Sequence, residues 1–208
     1  MVDLIFWVSM FGTAVFAVSG ALMALRQGMD IVGVSFISTV TGIGGGTVRD
    51  LLLGETPLGW VKDPTVILVC IGCAVVCCVF NRALLGQRMR WLLYADAAGL
   101  ALFTVLGAQI AERAGAHPLV CVLFGALSAS FGGIIRDVIC HETPVLLRKE
   151  IYITAAILGA LVYVVIPASM GIEIRVVAGI AAALALRGSA LWWEWSLNFP
   201  KPNLPDRS

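Results

Sequence analysis

Charge is scarce in this chain. Only 13 % of its 208 residues are Asp, Glu, Lys or Arg, and 14 basic and 13 acidic residues nearly cancel to +1. That leaves no basic face for nucleic acid and no acidic tail. Histidine is almost missing: His117 and His141 are the two residues of that type, and both fall in connections. No Ser-His-Asp order, acid–base pair or His/Cys/carboxylate ligand set can be assembled from them. We therefore expect no enzyme, no resident metal and no cofactor. Soluble domains average about 25 % charged and about 45–50 % apolar residues. Here 60 % are hydrophobic and the mean hydropathy is +0.96. A water-soluble core could not hide that much apolar surface, so the chain reads as an all-α integral membrane protein.

The first apolar run, Leu4 to Leu25, follows Asp3 rather than a basic region. It is about twice the apolar core of a signal peptide, which favours a first transmembrane helix. Five of the six cysteines (Cys70, Cys73, Cys77, Cys78 and Cys121) also lie inside apolar runs, and Cys140 follows a charged motif. The Cys-x-x-Cys at 70 and 73 has no His or carboxylate near it, so these thiols read as small packing residues.

Crossing a hydrocarbon core takes roughly 20 apolar residues of helix. The runs 4–25, 64–80, 91–111, 151–168 and 174–195 qualify, the second a little short. Two more, 31–43 and 118–131, stop early at glycine clusters. Counted as interrupted spans, they bring the total to seven helices.

Those two spans are copies. Gly45-Gly46-Thr47-Val48-Arg49-Asp50 runs on to Glu55-Thr56-Pro57, and Gly132-Gly133-Ile134-Ile135-Arg136-Asp137 runs on to Glu142-Thr143-Pro144. The offset is 87 residues, and 15 of the 44 positions in 14–57 recur in 101–144. Apolar bias alone cannot supply a shared Gly-Gly-x-x-Arg-Asp-x4-Glu-Thr-Pro. Each copy holds three spans, an odd number, so the second enters the membrane upside down. The expected plan is two inverted three-helix repeats, 1–88 and 89–170, then a seventh helix at 171–197 and a cytoplasmic tail at 198–208. Inverted repeats of this kind build many transport proteins, with paired glycine-interrupted segments at the site.

Connection charges set the orientation. One side collects Arg26, Arg82, Arg88, Arg90, Arg148, Lys149, Lys201 and Arg207, and the other Lys62, Arg113 and Arg175. The positive-inside rule makes the first side cytoplasmic, with the N-terminus outside and the C-terminus inside. Trp192, Trp193 and Trp195 then fall in the inner aromatic belt.

Gly42-Ile43-Gly44-Gly45-Gly46 lacks the third glycine of a dinucleotide fingerprint, because residue 47 is threonine, and it lacks the Gly-Lys-Ser/Thr of a Walker loop. No nucleotide partner is expected. In lipid, glycines at this depth disfavour continuous helix and free carbonyls to line a wet path. We expect breaks at both clusters, with Gly44, Gly45, Gly46, Thr47, Gly132 and Gly133 on a cation path; close helix packing at these glycines is the alternative. Gly20 and Gly107 read as close-packing residues. Arg49, Asp50, Arg136 and Asp137 are the charges nearest the interior, where ionisable groups default to a functional reading. Neighbours on a helix diverge by about 100°, so Arg49 is expected to meet Asp137, and Arg136 to meet Asp50; the alternative is that both pairs sit at opposite interfaces and anchor helix ends. Glu55 and Glu142 cap the next segments or face water at the pore mouths. Asp96 and Arg187 read as snorkelling groups near the cytoplasmic interface.

Duplicated Gly-Gly-x-x-Arg-Asp motifs on the second and fifth of seven spans resemble the prokaryotic trimeric intracellular cation (TRIC) channel family, whose members include bacterial proteins described as glycine transporters. The likeness covers about residues 4–195. It implies a homotrimer in a cell inner membrane, in contact with lipid, and with a pore in each protomer. That pore would conduct potassium and, less selectively, sodium. It also implies kinks in the second and fifth helices at Gly44-Gly45-Gly46 and Gly132-Gly133. The second copy has Phe131 where a third glycine would stand, so the half-sites need not be equivalent. The basic lipid-binding motif of animal members is absent from the fourth span. A secondary transporter of glycine or a similar small solute fits the same inverted plan and stays open as the alternative.

Overall fold

The structure, a computed structural model, describes residues 2–80, 88–148, 151–193 and 195. Arg82, Lys149, Lys201, Arg207 and the tail 198–208 lie outside the described residues. The chain is all-helical there: α1 (Val2–Arg26), α2 (Ile31–Leu53), α3 (Gly59–Lys62), α4 (Thr65–Val79), α5 (Arg88–Arg113), α6 (Pro118–Ile139), α7 (Ile153–Val165) and α8 (Ile172–Trp192), with 3-10 turns at 145–147 and 168–170. Five of these (α1, α2, α5, α6 and α8) are long and apolar enough to cross a membrane. At about 1.5 Å of rise per residue, α4 with 15 residues and α7 with 13 are shorter than the bilayer core.

The duplication is written into the backbone. Gly28 and Gly115 end the first helix of each copy at φ 74° and 79°, and Gly54 and His141 follow the second at φ 73° and 55°. Asp30 and His117, also 87 apart, cap α2 and α6 by accepting from Gly33 N and Leu119 N. Helices α1, α2 and α4 form the first bundle, and α5, α6 and α7 the second, with α1 against α5 and α2 against α6 between them. Helix α8 packs on α5 and α7. Arg175 ties it there, bonding Glu112 at 2.8 Å and the Tyr163 carbonyl at 3.1 Å.

The expected breaks in α2 and α6 are not present. Both helices run unbroken through their glycine clusters, to Leu53 and Ile139. Each glycine costs about 1 kcal/mol of helix propensity, whereas every backbone group freed in lipid costs several. Continuous hydrogen bonding wins. Both helices thus reach spanning length, 23 and 22 residues, where the apolar runs alone did not.

The glycines serve close approach instead. A Cβ on Gly45 would run into the Ser128 carbonyl, and one on Gly132 would stand 2.5 Å from the Thr41 carbonyl. Thr41 and Ser128 are themselves 87 apart, so this crossing of α2 and α6 is pseudo-twofold. Phe16 and Phe103 mark the same axis between α1 and α5, with ring centres 5.2 Å apart. Each ring lies over a glycine of the other helix, Gly99 or Gly12. Gly20 and Gly107 are close-packing positions as expected: a Cβ on them would stand 2.8 and 2.5 Å from the Ile37 and Phe124 carbonyls.

Candidate functional site

Past the crossing, the last turns of α2 and α6 carry Arg49-Asp50 and Arg136-Asp137 to opposite ends of the molecule, as an inverted repeat requires. The cross-repeat pairs expected from the 100° rule do not form. Arg49 folds back on its own helix and holds Asp50 Oδ1 with Nε at 2.8 Å and Nη2 at 2.7 Å. Arg136 does the same to Asp137 Oδ1 through Nε at 2.7 Å. The long guanidinium stem offsets the angular divergence, and the two arginines lie too far apart to exchange partners.

The two half-sites begin alike. Each guanidinium Nη2 lies 3.6 Å from where a Cβ would stand on a motif glycine, Gly46 or Gly133. From there they diverge. Around Arg49 the molecule is open: a cavity of about 100 Å³ is lined by Ser9, Thr13, Gly46, Thr47, Trp60 and Phe103 beside the Arg49–Asp50 pair. Arg49, Asp50 and Gly59 also wall a wider vestibule of about 340 Å³ that holds Glu55, Lys62 and Arg113. Trp60, on the short helix α3, donates its indole N–H to Thr47 Oγ1 at 3.0 Å and roofs the cavity.

Around Arg136 everything is closed. Its side chain and that of Asp96 are both 0 % exposed, with Nη1 2.8 Å from Asp96 Oδ1. The same nitrogen donates to the Ser19 hydroxyl, so one guanidinium joins α1, α5 and α6. Asp137 Oδ2 accepts the Val145 N–H at 3.1 Å, which fastens the following connection to the helix. Asp96 Oδ1 and the Tyr152 hydroxyl both stand 3.2 Å from a Cβ position on Gly133, so a side chain there would intrude on the cluster. Beyond it, Glu142 is held by Arg26 at 3.5 Å, Arg148 at 3.7 Å and Gln27 at 3.2 Å. Glu55, its counterpart, is exposed in the vestibule.

Burying a cation this deeply is tolerable only with carboxylates in contact, and Asp96 supplies one. Its placement corrects the expectation of a snorkelling residue, since α5 carries it into the bundle interior. Arg187 is corrected likewise. It is 1 % exposed, donates to the Ile151 carbonyl at 3.0 Å and lies 5.2 Å from the Tyr152 ring centre. Of the expected path residues, Gly46 and Thr47 line the cavity, Gly44, Gly45 and Gly132 sit at the crossing, and Gly133 faces the closed cluster. Ser9, Ser19, Trp60 and Tyr152 escaped sequence reasoning. Carrying the 87-residue offset back past Gly12 and Gly99 would have set Ser9 against Asp96. The described cysteines are free thiols, and no group of three or more metal-ligating side chains occurs among the described residues.

Comparison with known proteins agrees with this architecture. A family model described as "Glycine transporter" matches twice, at residues 6–82 and 93–168, with starts at the same 87-residue offset. The UPF0126 inner membrane protein YadS of Escherichia coli (strain K12) is 40 % identical over 200 residues, covering 93 % of this chain and 95 % of that protein. A UPF0126 membrane protein of Vibrio cholerae is also 40 % identical over 200 residues, 94 % of this chain and 82 % of its own. The TRIC trimeric intracellular cation channel orthologue from Rhodobacter sphaeroides matches in structure with TM-score 0.87 and 45 % identity, over 92 % of this chain and 99 % of that one. A prokaryotic TRIC channel solved in 0.5 M KCl gives TM-score 0.89 at 29 % identity, over 93 % and 98 %. The twice-matching model, the full-length relatives and the shared fold make this chain a member of the prokaryotic TRIC channel family, which the matching model describes as glycine transporter.

Proposed function

We propose that the chain is a monovalent cation channel, conducting potassium and less selectively sodium through a pathway inside each protomer of a homotrimer. In this reading seven helices cross the inner membrane, α3 lying in a connection, with the N-terminus outside and the C-terminus in the cytoplasm. The pathway enters at the vestibule of Glu55, Lys62 and Arg113, passes Arg49–Asp50 and reaches the cavity of Ser9, Thr13 and Thr47. It continues beside the α2–α6 crossing to the Arg136–Asp96 cluster, which seals the cytoplasmic end. Carboxylate and hydroxyl oxygens favour a cation, while Arg49 keeps the well shallow enough for release. Discrimination among monovalent cations is accordingly modest.

The glycine-transport alternative has one observation in its favour. A guanidinium and a carboxylate side by side in a cavity of about 100 Å³ suit a small zwitterion. Alternating access, however, needs each end to close in turn, and the observation that carries the channel reading is the inequality of the ends. Arg136 has Asp96 and Ser19, whereas the positions equivalent by offset, Ser9 and Leu106, give Arg49 no comparable partners. Single-channel recording from purified protein in planar bilayers tests this. Unitary potassium currents, smaller with sodium and absent with chloride as sole permeant ion, are expected. Saturable, gradient-coupled glycine uptake without unitary events would overturn the reading.

A further inference from the structure

We infer that Ser9 determines which end of the pathway stays open, by withholding from Arg49 the carboxylate that Asp96 gives Arg136. The inference deepens the channel reading, on which its functional meaning rests, but its geometry stands apart from it. Residues 9 and 96 occupy equivalent places on α1 and α5, one repeat offset apart, in register with the identical Gly12 and Gly99. The arginines they face are placed alike, each with Nη2 3.6 Å from its motif-glycine Cβ position and each bound to the following aspartate at 2.7 Å. At position 96 the carboxylate meets Arg136 at 2.8 Å and the site is sealed. At position 9 a hydroxymethyl lines a cavity that Arg49 also lines, and the cavity shares its wall with the vestibule.

The other differences beside the two arginines are neutral. Leu106 replaces Ser19, and Thr65 replaces Tyr152. Both Asp96 and Ser19 accept from the guanidinium, but only the carboxylate adds the attraction of an opposite charge in a buried site, so the residue that adds or removes a carboxylate is the one that decides. An aspartate at position 9 would set its oxygens in the cavity beside Arg49 and rebuild, at the outer end, the lock now present only at the inner end. Ser9 is half-buried against open space, so the larger side chain has room.

The test measures access rather than current. Gly46→Cys puts a thiol in the cavity, where a Cβ meets nothing nearer than Arg49 Nη2 at 3.6 Å. Protein reconstituted in liposomes is treated with a membrane-impermeant methanethiosulfonate reagent on the vestibule side, with the parent chain, which keeps Gly46, as the blank for native thiols. Adding Ser9→Asp to the Gly46→Cys variant should slow modification tenfold or more, and adding Arg49→Gln as well should restore most of the rate. Ser9→Asn, similar in size but uncharged, should slow it far less. An unchanged rate in S9D, equal slowing in S9N, or no recovery with R49Q would each overturn the assignment. If S9D does not assemble, Ser9→Glu carries the same charge on a longer stem and is judged by the same criteria. Absence of unitary potassium currents from the unmodified protein would instead sink the channel reading, while the modification rates still decide the role of Ser9.

Discussion

Adding one methyl group to Gly45 or Gly132 tests the helix crossing at the centre of the molecule. In Gly45→Ala the new Cβ meets the Ser128 carbonyl, and in Gly132→Ala it lies 2.5 Å from the Thr41 carbonyl. Both obstacles are backbone atoms within hydrogen-bonded helices, so neither can swing aside as a side-chain end would. Overpacking typically costs about 1–3 kcal/mol, and a rigid obstacle puts these sites toward the upper end. Against this stands the helix-propensity gain of Gly→Ala, roughly 0.8–1.0 kcal/mol. The balance is a loss of about 1–2 kcal/mol. One residue on, Gly46→Ala finds its nearest neighbour at 3.6 Å, and Gly72→Ala on α4 finds nothing within 4 Å. Both keep the propensity gain and should be neutral or slightly stabilising. Melting of purified protein in detergent therefore has a sign to report, with G45A and G132A below the parent and G46A and G72A at or above it. Because one widened crossing accommodates both methyls, the G45A/G132A double variant should lose less than the sum of the singles. Equal stability of G45A and G46A would refute the close-approach argument.

Three other expectations can be checked directly. Asp96→Asn leaves Arg136 with Asp137 as its charged partner and should cost about 3 kcal/mol, the lower end of the range for breaking a buried pair; a variant as stable as the parent in the same melts would show that the Asp96 contact contributes nothing. A reporter active only in the cytoplasm should give signal when fused after residue 84 and none after residue 60, and the opposite pattern would invert the proposed topology. Chemical cross-linking in detergent should reach a trimer, and a ladder ending at dimer would count against the proposed assembly.

Much of the architecture was legible in the sequence because it depends on hydropathy and on a repeated motif. All seven apolar runs became helices, and the offset read from Gly-Gly-x-x-Arg-Asp reappears in backbone dihedrals at Gly28 and Gly115. What failed was reasoning that stopped at the local residue type. Glycine ends an apolar run on paper, but in lipid the helix continues through it because unpaired peptide groups cost more than propensity. The cross-repeat ion pairs failed because angular spacing ignores how far an arginine reaches back along its own helix. Asp96 was the larger omission. Its position early in a span suggested an interface, and only the packing of α1 and α6 against α5 makes that place the interior. The connection charges fared better: Arg26 and Arg148 meet around Glu142 at one end, while Lys62 and Arg113 share the vestibule at the other.

An inverted duplication starts from two equal half-sites, and the chain has kept the contacts that hold the halves together and the Arg-Asp motif itself while changing residues packed around the two arginines. Gly45 with Gly132, Phe16 with Phe103 and Gly20 with Gly107 are retained at contacts where a change on one side must be matched on the other. Positions 9 and 96, 106 and 19, and 65 and 152 carry different residues, and each pair includes a residue beside Arg136. The energetic consequence falls on one end. On the proposed reading, opening the Arg136 end means parting Arg136 from Asp96 and Ser19, and hydrogen bonds to charged groups contribute about 1.5–3 kcal/mol each. Two of them make a lock of roughly 3–6 kcal/mol. Moving a two-state equilibrium from 1:99 to 99:1 takes about 5.5 kcal/mol, so this lock alone can keep the open form a minority until a stimulus offsets it. No such lock opposes entry at Arg49, whose ionic partner among the described residues, Asp50, travels with it on the same helix. On the proposed reading, gating is therefore a property of the cytoplasmic end, and substitutions around Arg136 should change how often the channel opens. Substitutions around Arg49 should instead change how fast ions pass once it is open.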